Sequence, residues 1–383
     1  MEYDYIIIGG GVAGLFAGYL LQKCGKSFLL LEKDEKVGGR IQVKKFHGKT
    51  IPLGAGAFRS TDKYVKKLVK ELNIPIRSFK SSYNYNLPDY EPYWYNEAVK
   101  NLPETKNKSV SKVLENYFHH NNKLIEKFKT YSLYTDFFKD TDAYYGLKYY
   151  PKKDLYHGKI REFFLPSTDI YEIIKVLYEK IKKHVKTKQL VTKIIKKDSL
   201  WNIHDKHGKI FKAKHVILAT DFSGIKYIKI QPELPFIKML KQYIGTNNFI
   251  RWYTFHQNVN LEKPLLVAPV NKKIFPISNH VVMSGYADNE NAKQLRHKIK
   301  TSSQNTLTNL INNALGTFGN VSRIKDSFYQ YWNIGTHYYK KGYDYKKDYY
   351  EKDNFIIVGE MISFEQGWTE GALQSVGHWF SQH

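Results

Sequence analysis

The chain has 383 residues, of which 42% are hydrophobic, and it carries a formal net charge of +24. This length exceeds one ordinary core, so we expect two domains of roughly 150 to 200 residues each. No apolar run approaches the roughly 20 residues needed to cross a bilayer, which excludes a membrane-spanning protein. An apolar strand begins at Tyr5 and leaves no room for a cleaved signal, so we expect a cytoplasmic protein with no membrane partner.

The basic composition raises the question of a nucleic-acid partner, because a positive surface attracts phosphate regardless of base sequence. The lysines are scattered over the whole chain, which is also rich in Asn, Ile, Tyr and Phe. These residue types share A/T-rich codons, so we attribute most of the charge to genome composition. A nucleic-acid partner is therefore disfavoured, and the composition gives no indication of an oligomeric state.

Cysteine and histidine offer little for disulfide or metal chemistry. The single cysteine, Cys24, can form no internal disulfide and no Cys-rich metal site, and its place in the first predicted helix predicts a buried, inert thiol. His119 and His120 are adjacent, and adjacent side chains on a helix point apart. Without a third ligand they predict no metal site.

The first elements are a strand, a glycine turn, a helix and a second strand. Residues 3–8 end in a β-branched run before Gly9, and apolar residues recur at helical spacing from Val12 to Leu21. Residues 27–32 are typical of a strand buried on both faces of a parallel sheet. Together these elements predict one βαβ unit.

Further elements are predicted along the rest of the chain. Thr61, and later Ser167 or Thr168, are expected to cap amphipathic helices that run to about residues 72 and 181. The aromatic-rich stretch 81–166 lacks this periodicity and predicts an inserted second domain. Later strands are predicted at 190–195, 200–204, 216–219, 249–255, 281–286 and 355–358, and later helices at 292–315 and 371–380.

The glycine turn matches a G-x-G-x-x-G pattern, formed by Gly9, Gly10, Gly11, Val12, Ala13 and Gly14. Because it follows a strand, opens a helix and precedes an acidic residue at the end of the next strand, it predicts a dinucleotide site. Gly9 permits the tight turn, Gly11 lets the backbone approach a pyrophosphate, and Gly14 allows close helix–strand packing. Glu32 is expected to accept hydrogen bonds from ribose hydroxyls.

The residues after Glu32 decide between NAD and FAD. The sequence continues from Lys33 to Gly38, Gly39 and Arg40, and here the chain resembles the flavin-containing amine oxidases, the family of monoamine and polyamine oxidases. The resemblance implies that the two glycines and the arginine lie along the phosphates of FAD, with Lys33 also at the cofactor. A guanidinium would neutralise phosphate charge in a fork geometry that lysine cannot copy.

Two internal segments resemble the same family. The first is a run of small residues expected to pack against the flavin ring, where a bulky side chain would displace it: Gly54, Ala55, Gly56 and Ala57. The second comprises the strands near 190 and 216–220, which place Val191 against the adenine end and Ala219 where the sheet closes. Both assignments follow from the resemblance.

A segment near residue 360 resembles the C-terminal signature of the family. It contains Gly359, Glu360, Trp368 and Thr369, and the resemblance implies that it closes over the pyrophosphate and the pyrimidine ring. Backbone N–H groups at the start of the last helix would then stabilise negative charge on the flavin.

Two aromatic residues are expected at the face of the flavin, where the family sandwiches its amine. Trp368 matches one position, although a core aromatic residue is the alternative, and Tyr338 is favoured over Tyr339 for the other. Many members carry a lysine that holds a water near flavin N5, and the comparable stretch 245–251 offers only Arg251. No cysteine lies near 331–339 for a covalent link, and a link through His337 is disfavoured, so we expect non-covalent FAD.

The resemblance implies an α/β fold in which a Rossmann-type FAD-binding domain is interleaved with an α+β substrate domain. We place the FAD-binding domain at 1–80, 185–224 and 346–383, and the substrate domain at 81–184 and 225–345.

The expected function is that of an FAD-dependent amine oxidase, which passes a hydride from the α carbon of a small-molecule amine to flavin N5 and uses dioxygen as acceptor. One alternative is an oxidase or desaturase of an apolar substrate. The other is a non-catalytic flavin-bound interaction or nucleic-acid-binding module.

Overall fold

A computed structural model describes residues 2–134, 140–149, 152–268, 270–343 and 347–383. The α-helices in these ranges are α1 Val12–Lys23, α2 Lys63–Glu71, α3 Pro92–Asn101, α4 Val110–Tyr117, α5 Asn122–Tyr131, α6 Ala143–Tyr149, α7 Lys152–Leu155, α8 Glu172–Ile181, α9 Phe222–Tyr227, α10 Pro235–Tyr243, α11 Asn289–Thr301, α12 Gln304–Leu315 and α13 Thr369–Phe380.

The strands fall into two large and three small sheets. They are β1 Glu2–Ile8, β2 Phe28–Leu31, β3 Val43–Phe46, β4 Lys49–Pro52, β5 Phe58–Arg59, β6 Ile76–Ser81, β7 Asn84–Asn86, β8 Arg161–Pro166, β9 Val185–Lys186, β10 Val191–Lys197, β11 Leu200–Asp205, β12 Ile210–Leu218, β13 Lys229–Gln231, β14 Ile244–His256, β15 Val259–Asn260, β16 Leu265–Val267, β17 Lys273–Pro276, β18 Val281–Asp288, β19 Asn320–Val321, β20 Ile324–Tyr339, β21 Tyr350–Lys352 and β22 Phe355–Ile357.

The first large sheet holds the predicted βαβ unit. Its strand order is β13, β10, β11, β12, β1, β2 and β9, and β22 pairs with the second half of β12. β1 lies parallel to both β2 and β12. Helices α1, α8 and α13 cover one face, and α10 packs on the other, which explains the almost uninterrupted apolar run of β2.

The second large sheet has the order β20, β14, β18, β17, β16 and β7. Helices α11 and α12 pack on one face against Ile250 and Trp252 of β14. The opposite face presents Tyr253 and Met283 to the hairpin formed by β3 and β4. A separate helical cluster, α3 to α7, packs around Tyr95 and Phe128.

Several sequence expectations need correction. α2 begins after Asp62 rather than Thr61, and α8 begins after Tyr171, whose N–H donates to the side chain of Asp169. The single helix expected at 292–315 is two helices, separated at residues 302 and 303. Cys24 follows α1 and is exposed, because the helix ends one residue earlier.

His119 and His120 do not lie on a helix as expected. α4 ends at Tyr117, and both histidines adopt positive φ angles of 50° and 60° in the turn that follows.

The division into two domains stays a prediction, and β13 does not fit its expected boundaries. This strand lies at 229–231, within the range expected for the substrate domain, yet it pairs with β10 of the first sheet. Within the described residues, no helix combines the length and apolar character needed to cross a membrane.

A buried carboxylate from α13 caps the start of α2. Glu370 accepts hydrogen bonds of 2.9 Å from the backbone N–H groups of both Tyr64 and Val65. Burial raises the pKa of Glu370, and these two bonds oppose the shift. The last helix therefore satisfies amide donors that α2 cannot satisfy itself.

We expect Glu370→Ala to lower the free energy of unfolding by about 2 kcal/mol, because it leaves two buried N–H groups without acceptors. Urea denaturation would measure the change. Glu290, in the first turn of α11, is the matched control because its side chain is exposed and forms a surface pair with Lys293 at 3.3 Å. If Glu370→Ala and Glu290→Ala lose equal stability, the capping role is wrong.

Candidate active site

The glycine turn between β1 and α1 has the geometry that its motif predicts. Gly9 has φ of +107°, and a Cβ on Gly14 would lie 1.9 Å from the Gly9 carbonyl oxygen. A Cβ on Gly11, by contrast, would meet no protein atom within 4 Å. Gly9 and Gly14 are thus required by the fold, whereas Gly11 faces open space at the start of α1.

Two further glycine segments converge on this open space. The Gly38 N–H donates to the Gly10 carbonyl at 2.8 Å, and Gly39 lies so near Gly11 that its Cβ would be 3.4 Å from the Gly11 Cα. Gly359 follows β22 with φ of +123° and faces Ala13. We name these three segments, 9–14, 38–39 and 359, the glycine cradle. Its backbone and the helix N-terminus fit the pyrophosphate of a dinucleotide.

Glu32 lies beside the cradle and is buried. Its Oε2 accepts from the Gly10 N–H at 2.5 Å and its Oε1 from the Asp34 N–H at 2.9 Å. Burial raises the pKa of Glu32, and these two bonds oppose the shift. Each carboxylate oxygen keeps a second lone pair, so the predicted hydrogen bond to a ribose is compatible with this geometry.

The other residues expected at the cofactor differ in how far they are buried. Val191 is buried at the start of β10, and Ala219 is buried where its N–H donates to the Ile8 carbonyl. Lys33 is exposed and pairs with Asp34 at 2.6 Å, so its side chain points to solvent. Their contacts with a cofactor stay predictions.

Arg40 and Glu360 form an ion pair that joins two motif segments, in which Glu360 is buried and the Arg40 side chain is 28% exposed. Arg40 Nη1 lies 2.8 Å from Glu360 Oε2 and donates to the Gly335 carbonyl at 2.9 Å. His337 Nε2 accepts from the Phe222 N–H, which leaves its Nδ1 to donate to Glu360 Oε2 at 2.6 Å. Although burial would raise the pKa of Glu360, Arg40 and His337 together hold it well below its usual range.

The small-residue segment 54–57 contacts the backbone of Arg40. The Ala55 N–H donates to the Arg40 carbonyl at 3.1 Å, and a Cβ on Gly54 would lie 1.9 Å from that oxygen. A Cβ on Gly56 would lie 3.3 Å from Nη1 of Arg251. The expected ring-packing segment and Arg251 are therefore neighbours.

Arg251 lies on the face of the second sheet that carries partly exposed aromatic side chains. Its guanidinium carbon is 4.9 Å from the ring centroid of Tyr286 and 5.7 Å from that of Phe249. The Trp332 indole, on the neighbouring strand, donates to the Leu53 carbonyl at 2.8 Å. This sheet face forms an aromatic wall beside the segment 54–57.

The two aromatic residues expected to hold a substrate are Tyr338, on β20, and Trp368, just before α13. Tyr338 covers Gly245, where a Cβ would be 2.1 Å from its Cζ, and it lines a small cavity with Gln366. Trp368 immediately precedes α13, whose first residue is Thr369. The structure thus brings Tyr338 close to the turn that carries Trp368, and their roles stay predictions.

Sequence reasoning missed what holds Trp368 in place. The guanidinium carbon of Arg59 lies 4.2 Å from the Trp368 ring centroid, and Arg59 is itself paired with Asp62 and Glu365, each at 2.7 Å. One face of the indole is therefore occupied by a cation. No local sequence signal links residues 59 and 368, because the contact exists only in the folded chain.

Comparisons with known proteins show which sequences and folds this chain is similar to. A family model described as an NAD(P)-binding Rossmann-like domain matches residues 7–72. An L-amino acid oxidase of Cerastes cerastes is 22% identical over 284 residues, which cover 61% of this chain and 54% of that protein. A probable flavin-containing monoamine oxidase A of Dictyostelium discoideum is 36% identical over 72 residues, 19% of this chain and 16% of that protein.

Solved structures match over the full length of the chain. Cyclohexylamine oxidase from Brevibacterium oxydans superposes with a TM-score of 0.77 at 14% identity, covering 100% of this chain and 98% of the other. An engineered putrescine oxidase gives 0.75 at 13% identity, covering 100% and 99%. The chain resembles the flavin-containing amine oxidases in sequence and in fold.

This flavin amine oxidase resemblance confirms the α/β fold with a Rossmann-type domain. In the sequence alignments, however, the chain spans about half the length of the L-amino acid oxidase and much less of the monoamine oxidase. At such low identity the structural match supports the fold, and the reaction is a separate question.

Proposed function

We propose that the chain is an FAD-dependent oxidoreductase that oxidises a small-molecule amine with dioxygen as acceptor. The carrying observation is the continuous path from the glycine cradle, past Arg40, to the segment 54–57 beneath the aromatic wall. Its two ends match the two halves of FAD, a charged pyrophosphate and a flat ring. The comparisons support FAD as the cofactor.

The residues of the chain would bind and orient the reactants. FAD, when bound, would accept a hydride from the α carbon of the amine and pass its two electrons to dioxygen, which with two protons becomes hydrogen peroxide. The amine would become an iminium, and water would hydrolyse it. Gly11, Gly38 and Gly39 would hold the pyrophosphate, and Glu32 would hold the ribose. Tyr338 and Trp368 would position the amine against the ring.

The alternatives are less well supported. An apolar substrate would leave the buried guanidinium of Arg251 facing hydrocarbon, which is energetically unfavourable. A non-catalytic module gives no reason for an aromatic wall beside the ring site. Non-covalent attachment of FAD and a cytoplasmic location are parts of the proposal that rest on the sequence alone.

An anaerobic titration tests the proposal. Purified protein is given primary, secondary and polyamines and free amino acids one at a time, and the flavin band near ~450 nm is followed. We expect at least one of these compounds to bleach the band, since reduction needs no oxygen. A flavin spectrum that none of them changes would contradict the proposed oxidation, and protein that cannot be reconstituted with FAD would contradict the cofactor.

A further inference from the structure

Arg251 is a buried cation without a carboxylate partner among the described residues. Its side chain is 8% exposed. Nη1 makes two long hydrogen bonds of 3.4 Å, to the Pro52 carbonyl and the Tyr253 hydroxyl, and Nε has no hydrogen-bond partner within the described ranges. A buried charge is normally paired, so this guanidinium points to an anion that the described residues do not supply.

The aromatic neighbours of Arg251 supply no negative charge. Its guanidinium lies over the rings of Phe249 and Tyr286 and donates hydrogen bonds to the hydroxyls of Tyr253 and Tyr286, which are neutral acceptors. A planar fork of donors matches a carboxylate in a bidentate manner. The aromatic rings would at the same time exclude water and strengthen such an ion pair.

The position of Arg251 selects among possible anions. Gly56, its neighbour, belongs to the segment expected at the flavin ring, whereas the pyrophosphate site lies at the glycine cradle beside Arg40. The anion at Arg251 therefore belongs to the substrate side of the ring. A fixed cation there would also repel a second ammonium group, which disfavours polyamines.

We propose that Arg251 binds the carboxylate of the substrate, and that the substrate is an amino acid rather than a simple amine. The inference rests on the proposed function for its reaction and on Arg251 for its specificity. Arg251 thus acts as a specificity residue that holds the α carbon at a fixed distance from the carboxylate anchor.

Matched substrate pairs test the proposal in the FAD-loaded wild-type protein. L-Phenylalanine is compared with 2-phenylethylamine, and L-leucine with 3-methylbutylamine, by the rate of anaerobic flavin bleaching. We expect the amino acid of the preferred pair to be at least about 100-fold more efficient, since its analogue leaves Arg251 unpaired. Equal efficiency, or preference for the amine, would overturn the proposal and leave the proposed amine oxidation intact.

Binding of benzoate gives a readout that does not depend on turnover. Benzoate carries a carboxylate and no amine, and its dissociation constant is measured by calorimetry on the FAD-loaded protein. We expect Arg251→Met to weaken benzoate binding at least about 100-fold and Arg251→Lys to weaken it less, since lysine keeps the charge but not the fork. Unchanged affinity in Arg251→Met would overturn the proposal.

Arg296→Met is the matched control. Arg296 stacks at 4.3 Å on Tyr331, on the opposite face of the same sheet, and it should leave benzoate binding unchanged. If Arg251→Met does not retain FAD, the substrate pairs and Arg251→Lys still decide. Arg251-dependent benzoate binding without bleaching by any amine or amino acid would support the carboxylate site and contradict the proposed oxidation.

Discussion

Replacing Gly11 with alanine should abolish tight FAD binding while leaving the fold intact. The new Cβ would meet no protein atom within 4 Å, and the φ angle of −72° is accessible to alanine. The methyl group would instead occupy the space through which the pyrophosphate approaches the backbone. We expect the dissociation constant of FAD to rise at least about 100-fold, which corresponds to roughly 3 kcal/mol.

Flavin fluorescence would measure the FAD affinity of this variant, and thermal unfolding without FAD would measure its stability. Gly14→Ala is the informative contrast, because its Cβ would lie 1.9 Å from a backbone oxygen and should destabilise the apoprotein itself by about 2 kcal/mol or more. Gly11→Ala protein that purifies with a full complement of FAD would show that the glycine cradle is not the pyrophosphate site.

Glu360→Gln should lower the free energy of unfolding of the apoprotein by about 3 kcal/mol. The substitution keeps the shape of the side chain but removes the negative charge that compensates Arg40 and accepts from His337. Removing the charge of buried Glu360 leaves the half-buried guanidinium of Arg40 without its carboxylate partner. Added FAD should restore part of the loss, because its pyrophosphate gives Arg40 a second anion.

Dependence on pH provides a second measurement. The pKa of Glu360 is lower in the folded state than in the unfolded state, so its contribution is complete above about pH 4.3 and falls as the pH drops further. Denaturation curves between pH 7 and pH 3 should therefore converge for wild type and Glu360→Gln. Curves that stay parallel would contradict the ion-pair role.

Glu179→Gln is the control for this substitution. Glu179 forms a surface pair with Lys182 at 2.7 Å, and both side chains are more than half exposed. An exposed pair contributes little, so the variant should lie within about 0.5 kcal/mol of wild type.

The local features of the fold were predictable from sequence. The glycine-rich turn at residues 9–14, between a buried strand and a helix, predicts the βαβ unit, because few residues other than glycine can adopt the conformation of that turn. Glu32 could be placed by its spacing after it, and Gly38 and Gly39 by the resemblance to the flavin-containing amine oxidases. The break between α11 and α12 and the end of α4 before His119 were not predicted, because no proline or helix-ending glycine marks either place in the sequence.

The long-range contacts of the site were not predictable. The cap that Glu370 provides for α2 joins residues about 305 positions apart, and the stacking of Arg59 on Trp368 spans a similar distance. Arg251 could be found by comparing its stretch with the one that carries a lysine in the family, but the lack of a carboxylate partner among the described residues is a property of the packed structure. Sequence periodicity indicates which face of a helix or strand is buried, but it does not indicate which residues that face contacts.

The first sheet has a consequence for how the chain matures. β1 is flanked by β2 from its own βαβ unit and by β12, and β12 in turn pairs with β22, which lies far from β1 in the sequence, at Phe355–Ile357. Gly359, which follows β22, completes the glycine cradle. During synthesis on the ribosome, the part of β12 that pairs with β22 would therefore have no partner strand until residues 355–357 have emerged. We expect FAD to bind only after residues 355–380 have left the ribosome.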